Sequence, residues 1–431
     1  MGPLADRVKN LGDESAFKVG DDIRKCEAKG LSVVRLNIGE PDFDSAPNIN
    51  RVAIQNIEDG NSHYIDPQGI LSFRGSIARV MAETRNIQLP PDHIVVTSGG
   101  KPVIGYSMIA YVNPGDEVIY PSPGFPIYES WITFLGAVPV PVYLKEEKDF
   151  RFDATDLEPL VTSKTKLLII NSPSNPTGCV LTREDLSGIA SLLAQKADPN
   201  FRILSDEVYD EIVFDGLRHE SMLSVPGMDR HTILLNSLSK SFAMTGWRLG
   251  YAVLPTVEEA MLFRQLNINT YSCTPPFIQM AGKAALDNKE NKTIVSAMRR
   301  EFQTRRDVMI EALNRIDGIC CVKPAGAFYA YPNITGVCEK LGILSAYEEK
   351  ARNLKDIASP STLFQLFALY VHGVATLDRS SFGQIGCENS HYLRLSMASD
   401  METLKEGIGR LADASADVDG FQDFMNRWLK A

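Results

Sequence analysis

The chain is poor in several features that would mark a special class of protein. Cysteine is scarce, 7 in 431 residues, and no C-x-x-C pair occurs, so neither a disulfide framework nor a thiolate zinc site is expected. Reduced, mostly buried thiols in a cytoplasmic protein are the expectation, with no metal. No apolar run approaches the ~20 residues needed to cross a bilayer. Residues 1–20 carry charges and no apolar core, so no secretory signal is expected. Basic residues do not dominate either: 44 Lys and Arg against 54 Asp and Glu give a net charge of −10, the wrong sign for a nucleic-acid partner. Internal repeats and low-complexity tracts are missing. The remaining composition, 44% hydrophobic and 23% charged, is that of an ordinary globular chain long enough for two or three domains.

Short β-rich apolar runs recur instead. They lie at 93–98, 117–120, 166–171, 201–206, 232–236 and 248–254. Continuous rather than alternating apolar character is what strands buried on both faces require, as in a parallel sheet. Segments of helical spacing separate most of them, Arg183 to Ala197 among them, which points to an α/β sheet covered by helices. The later chain differs. A long charged helix is expected over 292–315, then strands near 327–331 and 391–395, a helical stretch near 345–372 and a closing helix from Asp400. In 336–364 a helical insertion and a surface loop cannot be told apart. The expected organisation is a large domain, 49–295, and a smaller α+β domain built from both termini, 1–48 and 296–431.

One window carries most of the chemistry. In Asn236-Ser-Leu-Ser-Lys240 a buried strand ends in small hydroxyl residues and a lysine, and Arg248 follows eight residues on. A lysine at a strand end facing a cleft is desolvated and can form an imine. Ser237, Ser239 and Arg248 are the hydroxyl donors and planar cationic fork that a phosphate group wants. A surface lysine beside a structural arginine is the plainer alternative.

Three further windows resemble ligand sites of α/β clefts. Asp206 ends another apolar run in Ser205-Asp-Glu-Val-Tyr209, where it can cap a helix or pair with a protonated ring nitrogen. Tyr209 can then reach an oxygen on the same ring or be a half-buried core tyrosine. Thr97-Ser-Gly-Gly-Lys-Pro102 sets paired glycines before a helix, with Pro102 in its first turn, an anion-binding arrangement. In Asn171-Ser-Pro-Ser-Asn-Pro-Thr-Gly178, Asn175 can cap the turn or donate to a ring oxygen.

Together these motifs resemble the pyridoxal-phosphate aminotransferases of fold type I, class I/II, the group that includes aspartate aminotransferase. The resemblance rests on Asn-x-Pro-x-Asn-Pro-Thr-Gly at 171–178, Ser-Asp-Glu-x-Tyr at 205–209, Ser-x-Ser-Lys at 237–240 and Gly-x-Arg-x-Gly at 246–250. Gly39-Glu-Pro-Asp-Phe43 and Tyr392-Leu-Arg-Leu-Ser396 extend it to nearly the whole chain. It implies pyridoxal 5'-phosphate as cofactor, held in an imine by Lys240, which also moves the proton at the substrate Cα. Asp206 matches the partner of the pyridine nitrogen, Asn175 and Tyr209 the donors to the ring oxygen, and Phe125 the aromatic stacked on the ring. Gly100, Lys101, Ser237, Ser239 and Arg248 match the phosphate cradle. Tyr64 matches a tyrosine contributed across the interface of a homodimer with shared active sites. Arg394 matches the fork for the substrate α-carboxylate, with Gly39 and Asn175 beside it.

The implied reaction is ping-pong transfer of an amino group from an L-amino acid to a 2-oxo acid. A same-fold enzyme of elimination, cyclisation or oxidation is the alternative. Gly99-Gly100-Lys101 suits a dicarboxylic substrate of the aspartate/glutamate type, Lys101 reaching its side-chain carboxylate. The chain departs from the family at Pro102, where glutamine is usual, and at Leu377-Asp-Arg-Ser-Ser-Phe-Gly383 in place of Pro-Gly-Ser-x-Phe-Gly. Asp378 and Arg379 are expected to form a solvated surface pair, the alternative being that they reshape the substrate entrance.

Overall fold

The structure is a computed structural model that describes residues 4–12, 15–351, 357–387 and 390–428. Among the described residues its strands are, in chain order, β1 (Val34–Arg35), β2 (Ile94–Thr97), β3 (Glu117–Ser122), β4 (Val138–Tyr143), β5 (Thr165–Asn171), β6 (Arg202–Asp206), β7 (Thr232–Ser237), β8 (Gly250–Val253), β9 (Tyr329–Ala330), β10 (Val374–Ala375), β11 (Leu377–Asp378) and β12 (Leu393–Ser396). Each of the six apolar runs forms a strand of one seven-stranded sheet, ordered β2-β8-β7-β6-β5-β3-β4. Leu167 to Ile170 in β5 and Leu234 in β7 are buried, because helices such as Lys101–Tyr111 and Arg183–Lys196 pack around the sheet. The chain is thus α/β with a large, mostly parallel, helix-covered sheet.

β4 was not expected from its sequence, Val138-Pro-Val-Pro-Val-Tyr143. Proline has no N–H to give a ladder, so two prolines argue against a strand in a sheet interior. β4 is tolerated because it is the edge of the sheet, paired in parallel with β3 alone.

The strand directions place the site. β3, β5, β6 and β7 run parallel, so Asn171 lies opposite Asp206 and Asp206 opposite Leu235 at one edge of the sheet. β8 runs antiparallel to both its neighbours, which sets Gly250, at its start, against Ser237 and Thr97 at their ends. The loops that leave β2, β5, β6 and β7 and the loop that enters β8 therefore converge on one side.

The later chain forms a second, smaller sheet, β11-β12-β9, all antiparallel, while β1 pairs in parallel with β10. Phe302, Phe328, Phe364, Phe367 and Leu395 fill its core with Leu36 from the N-terminal segment. The expected charged helix is Lys289–Leu313, and the closing helix is Met401–Ala416 with Asp400 as its N-cap. Of the ambiguous stretch, the described part is helical at Thr335–Lys340, Ile343–Ala346 and from Pro360, and residues 352–356 lie outside the described residues. The C-terminal helix Val418–Trp428 docks on its own chain, with Phe421 and Phe424 5.4 and 5.7 Å from the Phe367 ring.

Asp378 and Arg379 are not a solvated pair: they are 3% and 2% exposed. The Asp378 carboxylate is saturated locally, accepting from the hydroxyls of Thr362, Ser380 and Ser381 and from the backbone of the last two. The Arg379 guanidinium donates to the Ser122 hydroxyl at 2.9 Å and to the Gly383 carbonyl at 3.0 Å. Hydroxyls three residues or fewer from an acid outcompete a cation whose own donors are taken elsewhere, and opposite signs in sequence misled.

Phe367 is wholly buried between the helices Pro360–His372 and Val418–Trp428. Phe367→Ala is expected to cost about 3–5 kcal/mol of stability, read as a lower urea midpoint and earlier proteolysis at the C-terminal helix.

Candidate active site

The converging loops enclose a cleft of about 220 Å³. Lys240 sits in a single helical turn, Leu238–Ser241, entered directly from β7, and its Nζ donates to the Gly39 carbonyl at 2.6 Å. Asp206, one strand away, is 4% exposed at the end of β6. No helix follows it, so it is not a helix cap; its Oδ1 accepts weakly from the Val208 N–H at 3.4 Å and its Oδ2 accepts from the Tyr128 hydroxyl at 2.5 Å. Burial pushes the Asp206 carboxyl up to about 6, partly offset by the Tyr128 hydrogen bond.

Its neighbour Glu207 behaves oppositely. Burial alone would raise it, but the His219 ring at 2.9 Å and the Arg85 guanidinium at 2.8 Å outweigh that and pull it down to about 2. Two adjacent acids thus have separated tasks. Glu207 is a permanent anion in a structural network, in which Arg85 also meets Asp210 and Asp210 accepts from Asn236 at 2.8 Å. Asn236 in turn accepts from the Ser237 N–H at 2.7 Å, bracing the end of β7. Asp206 is left as the acid that a cation in the cleft would ionise.

The opposite end of the cleft is built for an anion. Gly100 precedes the helix Lys101–Tyr111, and Pro102 lies in its first turn. Ser237, Ser239 and the exposed Arg248 complete this end. Glycine is favoured at 99 by a left-handed φ of 82° and required at 250 by space, where a Cβ would lie 2.6 Å from the Gly99 carbonyl carbon. Arg248 itself adopts a left-handed φ of 56°, a conformation concentrated at functional sites.

Arg394, on β12, lies 4.5 Å over the Tyr329 ring and donates to Asn175 Oδ1 at 3.2 Å and the Asn37 carbonyl at 2.5 Å. Asn175 is held by its own N–H, which donates to Asn171 Oδ1 at 2.9 Å. Phe125 forms a wall, edge-on to Tyr128, and the Lys101 ammonium stands 5.9 Å from its ring at the rim.

The cleft lining therefore brings together Gly39, Gly100, Lys101, Phe125, Asn175, Asp206, Tyr209, Ser237, Ser239, Lys240, Arg248 and Arg394. Tyr64 is not part of it and is 88% exposed. Among the lining residues the sequence reading did not single out are two tyrosines, Tyr128 and Tyr329. Tyr128 follows Phe125 by three positions, in the first turn of the helix Ile127–Phe134, a spacing that puts both on one side. Tyr329 opens β9 inside a wholly apolar run, Ala327 to Ala330, that packs in one core cluster, so nothing in the pattern separates it from core packing.

The model of the family described as aminotransferase class I and II matches residues 32–411. The chain belongs to this family. It is 35% identical over 416 residues to a probable aspartate/prephenate aminotransferase of Aquifex aeolicus, covering 96% of this chain and 99% of that protein. It is also 35% identical to the aromatic-amino-acid aminotransferase 2 of Thermococcus litoralis, covering 95% and 97%. Among solved structures, an aspartate aminotransferase from Rhizobium meliloti superposes with a TM-score of 0.86 at 30% identity, covering 96% and 99% of the two chains. The protein is accordingly an aminotransferase of the type I fold, and the reading as an enzyme of elimination or oxidation is set aside. The family implies pyridoxal phosphate, and the donor set fits it: a buried acid for a ring nitrogen, a lysine for an aldehyde, and a glycine-lined helix start with hydroxyls and a guanidinium for a phosphate.

The raised Asp206 carboxyl makes a pH prediction for the cofactor-free enzyme. The folded state holds this proton to about pH 6 while the unfolded chain releases it near 3.8. Asp206 therefore subtracts stability as pH rises between those values, by about 3 kcal/mol. Asp206→Asn is expected to gain stability relative to the wild type above pH 6 and not at pH 4, measured by denaturant unfolding at both.

Proposed function

We propose that this aminotransferase binds pyridoxal phosphate through Lys240 and exchanges amino groups between dicarboxylic amino acids and their 2-oxo acids in a ping-pong cycle. The observation that carries the cofactor assignment is the buried acid at the end of β6 beside the lysine at the end of β7, across one cleft. Pyridoxal phosphate, when bound, supplies an electron-poor ring that spreads the negative charge left at the substrate Cα.

The residues divide the rest. Asp206, ionised by the cation it faces, holds the proton at the ring nitrogen. Tyr209 and the Nδ2 of Asn175 donate to the ring oxygen, while Asn175 Oδ1 stays with Arg394. Phe125 covers one ring face and excludes water. Gly100, Lys101, Ser237, Ser239 and Arg248 hold the phosphate through N–H groups, hydroxyls and charge. Lys240 Nζ carries the proton from the substrate Cα. Arg394, with Gly39 and Asn175, forks onto the α-carboxylate and so orients the Cα–H bond toward the lysine.

A homodimer with shared sites completes the assembly, the second subunit supplying Tyr64 to the phosphate. In support, Tyr64, Leu71, Ile109, Met261 and Ile268 leave large apolar side chains exposed. The dicarboxylic preference is supported by the Lys101 ammonium at the rim and by relatives such as the aspartate aminotransferase of Pyrococcus abyssi, 35% identical over 411 residues. Aromatic donors are a second reading, favoured by the rings of Phe125 and Tyr329 in the lining.

Borohydride reduction of the holoenzyme followed by peptide mapping is expected to label Lys240; label elsewhere removes the cofactor assignment. In a donor panel with 2-oxoglutarate, aspartate should be turned over well. Lys101→Met should raise KM for aspartate about tenfold or more, the loss of one charge-assisted contact, and that for phenylalanine far less. Equal effects on both would favour the aromatic reading.

A further inference from the structure

Tyr209 does not stand alone. Its hydroxyl oxygen lies 2.7 Å from that of Tyr329, 120 residues away in sequence and on the other sheet. Tyr329 is 1% exposed, and three neighbours fix its ring. The Arg394 guanidinium covers one face at 4.5 Å, and the Tyr209 ring meets it edge-on at 5.7 Å. Gly39 passes so close that a Cβ there would collide with the Tyr329 hydroxyl. Its strand, β9, is paired to β12 with Tyr329 opposite Ser396, two residues beyond Arg394. Tyr329 thus touches Tyr209, Arg394 and Gly39, and Gly39 accepts from Lys240.

Two phenols at this distance share one proton between their oxygens. If Tyr209 is the donor, its proton points away from the cleft; if Tyr329 is the donor, the Tyr209 proton is released for an acceptor in the cleft. A phenol that accepts a hydrogen bond is also a stronger donor. We propose that Tyr329 is a positioning residue whose hydroxyl donates to Tyr209 and so turns and strengthens the Tyr209 hydrogen bond to the cofactor's ring oxygen.

This rests on the cofactor assignment made above and deepens it. A stronger donor draws negative charge from the ring oxygen, and that charge is what holds a proton on the nearby Lys240 nitrogen. Tyr329 therefore lowers the pH at which this nitrogen loses its proton. The other groups facing Tyr209 are Asp206, Arg394, Tyr128 and Lys240, and Tyr329→Phe keeps all four side chains and the ring under Arg394.

The test is a pH titration of the visible absorbance of holoenzymes. Tyr329→Phe, which keeps the ring under Arg394, is expected to move the midpoint up by about 0.5 in pH. Tyr209→Phe should move it further the same way, and adding Tyr329→Phe to Tyr209→Phe should move it no more. Incorporating 3-fluorotyrosine at position 329, a better donor of unchanged shape, should lower the midpoint, and it covers the case in which the phenylalanine variant folds poorly. An unchanged midpoint in both, or additive shifts in the double variant, would overturn the role of Tyr329 while leaving the cofactor site intact. A wild-type protein that takes up no pyridoxal phosphate and develops no visible band would overturn the cofactor assignment and this inference with it. A bound cofactor whose band does not titrate would overturn this inference alone.

Discussion

A carboxylate with almost no exposure to water, placed where a parallel strand ends, is the constraint around which this enzyme is arranged. Ionising Asp206 in that setting is costly, and one phenol and one long N–H contact offset the cost only in part. The group is held in readiness rather than satisfied. A cation brought into the cleft gains more from such an acid than from a solvated one, because little water competes for it. The same burial that destabilises the empty fold therefore favours a cation held against Asp206.

The surroundings are consistent with that reading. Glu207, one residue on, is compensated by Arg85 and His219 and extends through Asp210 and Asn236 to the backbone of β7. Breaking a buried pair costs far more than a surface pair, so the strand end carrying Lys240 is tied to the strand end carrying Asp206 by a network that chemistry in the cleft does not consume. The anion end relies on geometry instead: a helix start, absent side chains and a strained arginine.

The smaller sheet contributes one wall of the cleft. Arg394 and Tyr329 both come from it, and each crosses to a residue in a loop that leaves the larger sheet, Asn175 after β5 and Tyr209 after β6. The cleft is thus a seam between two sheets. The buried 377–383 segment belongs to the same seam, where Arg379 bonds Ser122, three residues before Phe125, and the Gly124 N–H donates to the Phe382 carbonyl at 3.0 Å. This segment is a structural brace behind the aromatic wall.

Much was decided by local sequence. Apolar runs bounded by polar residues specify the central strands, since a strand covered on both faces has no polar side to encode. Lys240, Asp206, Asn175 and Arg394 were legible because each follows or lies in such a run within a short motif. β4 was not legible, because its prolines are admissible only at an edge, and being at an edge is a property of the whole sheet. Tyr128 and Tyr329 were overlooked for a related reason: their partners Asp206 and Tyr209 lie far off in the chain and leave no mark in either stretch alone. Asp378 and Arg379 were misread because burial of their segment, which turns the acid to its neighbouring hydroxyls, is decided by packing. Local sequence determines which backbone a segment adopts and which chemistry it carries. Only the packed structure decides what a buried group faces, and with it whether an acid is raised like Asp206 or lowered like Glu207, since burial and neighbours compete at each position and their balance depends on distance.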